Sequence, residues 1–196
     1  SLNPDVKFNL FCALKLINYL LFPHFMKILV VGTWNPEKSR EYIQQANQLG
    51  YELAQRGHTL VASPSSGFQG LVATSYKQNN GSNFIGYYPE LELMKEVGEE
   101  IMIEPDTPIF TKQDYTIRNL LQVKGSDAVI GVTGGSGTLT ELIASINDYK
   151  LPTSFYEGSS QVVDSFRKIE PYFAKKLKCG NNISELINCL EGTGTK

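Results

Sequence analysis

Apolar residues recur along this chain in two alternating rhythms, short unbroken runs and longer helical stripes. Met26 to Gly32 (MKILVVG) is an unbroken run, the pattern of a strand covered on both faces of a parallel sheet. Asn35 and Pro36 then read as a helix N-cap and first helical residue, and Tyr42, Ala46, Leu49 and Leu53 recur at helical spacing, so one helix is expected up to Gly57. His58 to Ser63 (HTLVAS) predicts a second strand. Pro64-Ser65-Ser66-Gly67 is a turn-forming cluster before a helix over Leu71 to Lys77, and Asn83 to Tyr87 (NFIGY) predicts a third strand. Pro89 to Phe110 contains three prolines and mixed periodicity, and is read as a connection with one short helix. From Asp114 a helix carries Ile117, Leu120 and Leu121 inward and ends at Gly125, followed by a fourth buried strand, Asp127 to Val132 (DAVIGV). Gly134 to Thr138 turns the chain into a helix with Leu139, Leu142, Ile143 and Ile146 on one stripe. Pro152 to Tyr156 predicts a fifth strand, and Asn182 with Glu185 opens a last helix bearing Ile183, Leu186, Ile187 and Leu190. Strands separated by helix-length segments imply right-handed β-α-β crossovers. The expected fold class is α/β, a Rossmann-like, doubly wound and mostly parallel sheet with helices on both faces, formed by residues 26–196 as one domain.

Residues 1–25 stand apart as an apolar N-terminal extension. Phe8 to Phe25 (FNLFCALKLINYLLFPHF) is rich in Leu and Phe, with Lys15 as its one ionised residue. Eighteen residues lie at the lower limit for a membrane span and no small-residue cleavage site follows, so the stretch is read as a helix packed on the protein body or on a second subunit in preference to one lying on a membrane surface. The 18 Lys and Arg balance 20 Asp and Glu for a net charge of -2, without the positive excess that nucleic-acid binding requires. Three cysteines (Cys12, Cys179, Cys189) show no C-x-x-C spacing and only two histidines accompany them, which argues against a metal site and for a reducing, cytoplasmic compartment. His58, at a strand start, reads as structural.

In sheets of this kind ligands sit beyond the carboxyl ends of the strands, where strand order reverses. Two loops at that edge carry candidate chemistry. Gly32-Thr33-Trp34-Asn35 follows the first strand. Trp34 is read either as a cover for a base or as a packing residue, and Asn35 either as a ribose contact or only as a cap. Thr133-Gly134-Gly135-Ser136-Gly137-Thr138 follows the fourth strand. There, missing side chains let backbone N–H groups approach an anion while the helix directs its positive end at it, and Ser136 and Thr138 add hydroxyl donors. The loop is not a Walker A sequence, and the first strand lacks a G-x-G-x-x-G fingerprint. Kinase, ATPase and ordinary dehydrogenase readings lose their support. Glu141 lies in the first turn or so of the following helix, where its carboxylate either faces the same ligand or complements the helix dipole.

Thr133-Gly-Gly-Ser-Gly-Thr-Leu-Thr-Glu141 resembles the Pro-Gly-Gly-x-Gly-Thr-x-x-Glu signature of the LOG family, the cytokinin riboside 5'-monophosphate phosphoribohydrolases often mislabelled as lysine decarboxylases. Arg118, nine residues before Asp127, matches the spacing of the family's Arg-Lys pair, and Gly70-Leu71 and Ile85-Gly86 with Pro89 resemble its weaker elements. The resemblance spans Met26 to Tyr156. It implies hydrolysis of the N-glycosidic bond of a nucleoside 5'-monophosphate, with Glu141 stabilising a cationic sugar-like transition state or activating water and Arg118 holding the substrate. It also implies a homodimer, with no metal or other cofactor, and places Ser66 and Gly67 in the nucleotide-binding surface beside Gly32, Thr33 and Asn35. The chain departs from the pattern at Thr133, which replaces the signature proline and reads as a mild change. Asn119 replaces the lysine after the arginine, and Ser63 to Gly67 replaces a run of glycines. These departures leave a second reading, a non-catalytic carrier of a nucleotide or phosphorylated cofactor, such as a molybdenum-cofactor carrier of similar fold. A third makes the chain an interaction protein through Phe8 to Phe25. Lysine decarboxylation lacks any pyridoxal-binding signature.

Overall fold

The computed structural model describes residues 25–192; the expected helix before Phe25 lies outside them. Seven strands, β1 (Lys27–Gly32), β2 (Thr59–Ala62), β3 (Phe84–Tyr88), β4 (Thr107–Phe110), β5 (Ala128–Val132), β6 (Thr153–Tyr156) and β7 (Lys178–Gly180), form one sheet in the order β4-β3-β2-β1-β5-β6-β7. Every pairing is parallel. Nine helices lie between and after them among the described residues: α1 (Pro36–Arg40), α2 (Ile43–Gln55), α3 (Phe68–Gln78), α4 (Leu91–Glu96), α5 (Tyr115–Lys124), α6 (Ser136–Asn147), α7 (Gln161–Ile169), α8 (Pro171–Lys176) and α9 (Ile183–Leu190).

The unbroken apolar runs follow from two-sided burial. Successive side chains of a strand point to opposite faces, so Ile28 and Val30 of β1 join one core with Leu49 and Leu53 of α2 and Val72 of α3. Leu29 and Val31 join another with Leu142 of α6, Val163 of α7 and Phe173 of α8. A polar side chain at any of these positions would be buried on one face or the other. This is the Rossmann-like α/β architecture that the pattern predicts.

Three local expectations are corrected. The helix expected from Asn35 to Gly57 is two helices: the Tyr42 N–H turns back to the Ser39 carbonyl at 3.1 Å, and Tyr42, at φ -114° and ψ 24°, leaves the helical region before α2 begins. The connection over Pro89 to Phe110 holds, besides the short helix α4, the strand β4. Its burial pattern is mostly exposed and it contains Pro108, which an edge strand tolerates because one of its sides needs no ladder donors. The stretch after Tyr156 contains α7, α8 and the three-residue edge strand β7, too short to leave a periodic signal. Among the described residues no helix is long and apolar enough to cross a membrane.

Candidate functional site

Chain order reverses between β1 and β5: β2, β3 and β4 extend from one side of β1, whereas β5, β6 and β7 extend from the other. The two strands run in register to their ends, with Gly32 opposite Val132. Connections leaving them diverge to opposite faces, which opens a crevice. A cavity of about 970 Å³ occupies it. Its wall includes Gly32, Thr33, Asn35, Ser66, Arg118, Glu141 and the whole loop Thr133 to Thr138, so one space gathers residues spread over more than a hundred positions of sequence. Gly67 is the exception among the sequence candidates. It lies behind the wall at φ +105°, where a Cβ would come within 2.6 Å of the Thr33 carbonyl and 2.7 Å of the Trp34 backbone. Its role is to let the loops after β1 and β2 touch, fixed by the Phe68 N–H donating to the Thr33 carbonyl at 2.9 Å.

The loop after β5 is built differently. Gly134 takes φ +116°, and a Cβ there would run into the Thr138 side chain. Thr133 itself takes φ +57°. A proline, held near -65°, cannot adopt that angle, so the replacement of the signature proline is not mild: it accompanies a left-handed entry into the loop. Two serines from the loop after β6 fasten this bend, the Ser159 hydroxyl accepting from the Thr133 N–H at 2.9 Å and the Ser160 hydroxyl donating to the Gly134 carbonyl at 2.8 Å. Gly135, the N-cap of α6, leaves its first turn without any side-chain cap. The N–H groups of that turn therefore have no intrahelical acceptor, and Gly135 to Thr138 line the cavity. A Cβ at Gly135 or Gly137 would meet nothing within 4 Å, so neither glycine is demanded by packing.

Beneath that helix start, Glu141 is 3% exposed and Arg118 5% exposed. Burial pushes the Glu141 carboxyl up to about 7, opposed by a hydrogen bond from Gln122 and by the Arg118 charge. The Gln122 amide donates to Glu141 Oε1 at 2.5 Å. Arg118 donates to the Tyr87 carbonyl at 3.1 Å and lies 5.4 Å from the Tyr115 ring centre. Burial lowers its pKa, while Glu141, Glu99 and Tyr115 pull it back up. Arg118 Nε has no partner among the described residues, a buried donor left for something else to satisfy.

On the opposite wall the Asn35 side chain accepts from the Glu37 and Lys38 N–H groups at 2.9 and 3.0 Å, so its oxygen is committed to capping α1. Ser63 and Ser65, whose hydroxyls hydrogen-bond at 2.6 Å, and Glu99, which accepts from the Tyr115 hydroxyl, also line the space. Gln122, Tyr115, Glu99, Ser159 and Ser160 escape sequence reading. Each is an ordinary polar residue on an ordinary element, and only Ser160, as the N-cap of α7, carries a local signal. Among the described residues no three His, Cys, Asp or Glu side chains gather to hold a metal ion.

A family model described as LDcluster4, the SLOG cluster4 family, matches residues 25–179. The probable cytokinin riboside 5'-monophosphate phosphoribohydrolase LOGL6 of Oryza sativa subsp. japonica is 33% identical over 125 residues, covering 63% of this chain and 48% of its own length. The cytokinin riboside 5'-monophosphate phosphoribohydrolase LOG3 of Arabidopsis thaliana is 32% identical over 120 residues, covering 61% of this chain and 54% of its own length. The chain thus spans about half the length of the curated relatives it matches, and the resemblance read from the Gly134 loop and Arg118 agrees with them. In fold, the molybdenum cofactor carrier protein of Chlamydomonas reinhardtii superposes with a TM-score of 0.68 at 20% identity, covering 87% of this chain and 98% of its own.

Proposed function

The chain belongs to the SLOG cluster4 family, and from that premise we propose that its cavity binds a nucleoside 5'-monophosphate and hydrolyses the bond between base and ribose, releasing the free base and ribose 5-phosphate. The observation that carries this reading is a buried carboxylate, Glu141, under an uncapped helix start and beside a buried guanidinium, all on one cavity wall. The phosphate rests on the N–H groups of Gly135 to Thr138, where the positive end of α6 and the absent side chains favour an anion. Arg118 supplies the Nε donor that the protein leaves unsatisfied.

Cleavage of an N-glycosidic bond develops positive charge at the anomeric carbon, and a carboxylate held there in a partly dry cavity stabilises it. Glu141 in its ionised form does this and accepts a proton from the attacking water. The C–N bonding pair leaves with the base, which takes up a proton, and the water oxygen becomes the new hydroxyl of ribose 5-phosphate. With its carboxyl raised to about 7, Glu141 sits near the operating pH, as a general base should. The carboxylate fraction rises with pH, so turnover falls on the acid side with a midpoint near that value.

The test is product analysis with AMP. Adenine and ribose 5-phosphate appear in equal amounts, Glu141→Gln lowers the rate by at least about a hundredfold, and AMP still shifts the melting temperature of that variant. Undiminished turnover in Glu141→Gln removes Glu141 from the mechanism. One observation favours the carrier reading: Asn119 lines the cavity where the family motif has a lysine. Saturable binding across a nucleotide panel with no base released selects that reading over hydrolysis.

A further inference from the structure

The cavity mouth carries an aromatic side chain that the fold leaves unused. Trp34, the sole tryptophan of the chain, is 73% exposed, and among the described residues its indole has no stacking partner and no hydrogen bond. It nevertheless stands on fixed backbone. The Thr33 carbonyl before it is held by the Phe68 N–H at 2.9 Å, the Asn35 N–H after it donates to the Thr33 hydroxyl at 3.2 Å, and Asn35 and Pro36 begin α1 immediately. Gly67 presses on the Trp34 backbone so closely that no side chain fits between them. A large apolar ring is thus presented to water by a backbone that cannot retreat, and a flat partner laid on it would remove that apolar surface from water.

Its position says what the cover is. Trp34 lies two residues past Gly32 and Gly134 two residues past Val132, the paired ends of adjacent strands about 4.8 Å apart. The indole and the anion cradle therefore leave the sheet side by side, and both line the same cavity. Val97 and Val162, 63% and 42% exposed, lie on that lining too, so apolar side chains stand at the mouth among the charged and polar Lys38, Glu41 and Gln161. A ligand with a phosphate at one end and a flat aromatic ring at the other matches the cradle and the indole, and a bare sugar phosphate leaves the indole uncovered.

We propose that Trp34 is the platform on which the base of a nucleotide stacks, making it the residue that separates aromatic-base nucleotides from simple sugar phosphates. This rests on the nucleotide reading above and adds a selectivity that the phosphate cradle alone cannot supply. Because the backbone beneath the ring is held, stacking has only the two side-chain torsions of the indole to order.

The single tryptophan makes the test direct. Under indole-selective excitation, AMP added to the full chain quenches and blue-shifts the emission, read before base release becomes measurable, whereas ribose 5-phosphate raises the melting temperature without changing the emission. Trp34→Ala weakens AMP binding by about tenfold, equivalent to roughly 1.4 kcal/mol, leaves ribose 5-phosphate affinity within about twofold, and does not unfold a protein in which this side chain is exposed. Trp34→Phe restores most of the AMP affinity. AMP binding that leaves the emission unchanged and is undiminished in Trp34→Ala overturns the stacking role while sparing the cradle. If neither ligand shifts the melting temperature of the unaltered protein, the nucleotide reading falls first and the stacking role with it.

Discussion

The loops after β2 and β5 both reach the cavity and both depend on glycine, for opposite reasons. Gly67 is closed in by the protein itself: its φ of +105° and the 2.6 Å to the Thr33 carbonyl leave no alternative residue. Gly135 and Gly137 are closed in by nothing, since a side chain on either would point into open space, and both lie on the cavity wall. The first kind of glycine shapes the scaffold, and the second leaves the surface of the cavity wall clear. A glycine in a motif is therefore evidence for a ligand only once packing and backbone angle have been shown not to require it.

Substitution separates the two kinds. Gly67→Ala meets three backbone atoms of Thr33 and Trp34 in a conformation that is essentially glycine-only, so a loss of about 3 kcal/mol is expected in chemical denaturation. A loss below about 1 kcal/mol would show that the two loops can part, and would remove the contrast. Next in size is Glu141, which lies under the open loop and carries a stability cost there. Its folded pKa of about 7 exceeds the ordinary value of 4.5, so between those pH values the folded state holds more protons than the unfolded chain, and stability falls as pH rises through the window. Glu141→Gln escapes this. The variant should be more stable than the original by about 3 kcal/mol near pH 8, and by little near pH 4. Urea titrations at the two pH values measure this, and a pH-independent difference would mean that burial does not govern the carboxyl. The smallest stability effect belongs to Gly137→Ala. In the first turn of α6 it should gain a few tenths to about 1 kcal/mol while weakening AMP by about tenfold, because the added methyl occupies phosphate space. Unaltered affinity would leave that open space without a ligand to explain it.

Residues that cooperate locally could be read without the fold. β1 and β5 announce themselves because both of their faces are buried, and the Gly134 loop because a tight turn, hydroxyls and a helix start are consecutive in sequence. β4 and β7 lie at the sheet edges, where burial is partial and the apolar rhythm fades. The same divide runs through the site. Glu141 was legible from its place in the first turn after the glycine loop only as an ambiguous acid, and the resemblance to the LOG family gave it and Arg118 their expected roles. Gln122, which holds Glu141, and Ser159, which fastens the glycine bend 26 residues earlier, have no signal of their own, and Ser160 shows in sequence only as a helix N-cap.

What the amino-acid order alone determined is the alternation of strand and helix and the glycine-rich entry into α6, since backbone preference and periodic burial act over a few neighbouring residues. The tertiary structure alone decided that packing against the Thr33 and Trp34 backbone demands Gly67, that Thr133 enters its loop left-handed, and that Glu141, Arg118 and an exposed tryptophan line one cavity. Those outcomes depend on which strands lie side by side, and that is set by packing between segments far apart in the chain.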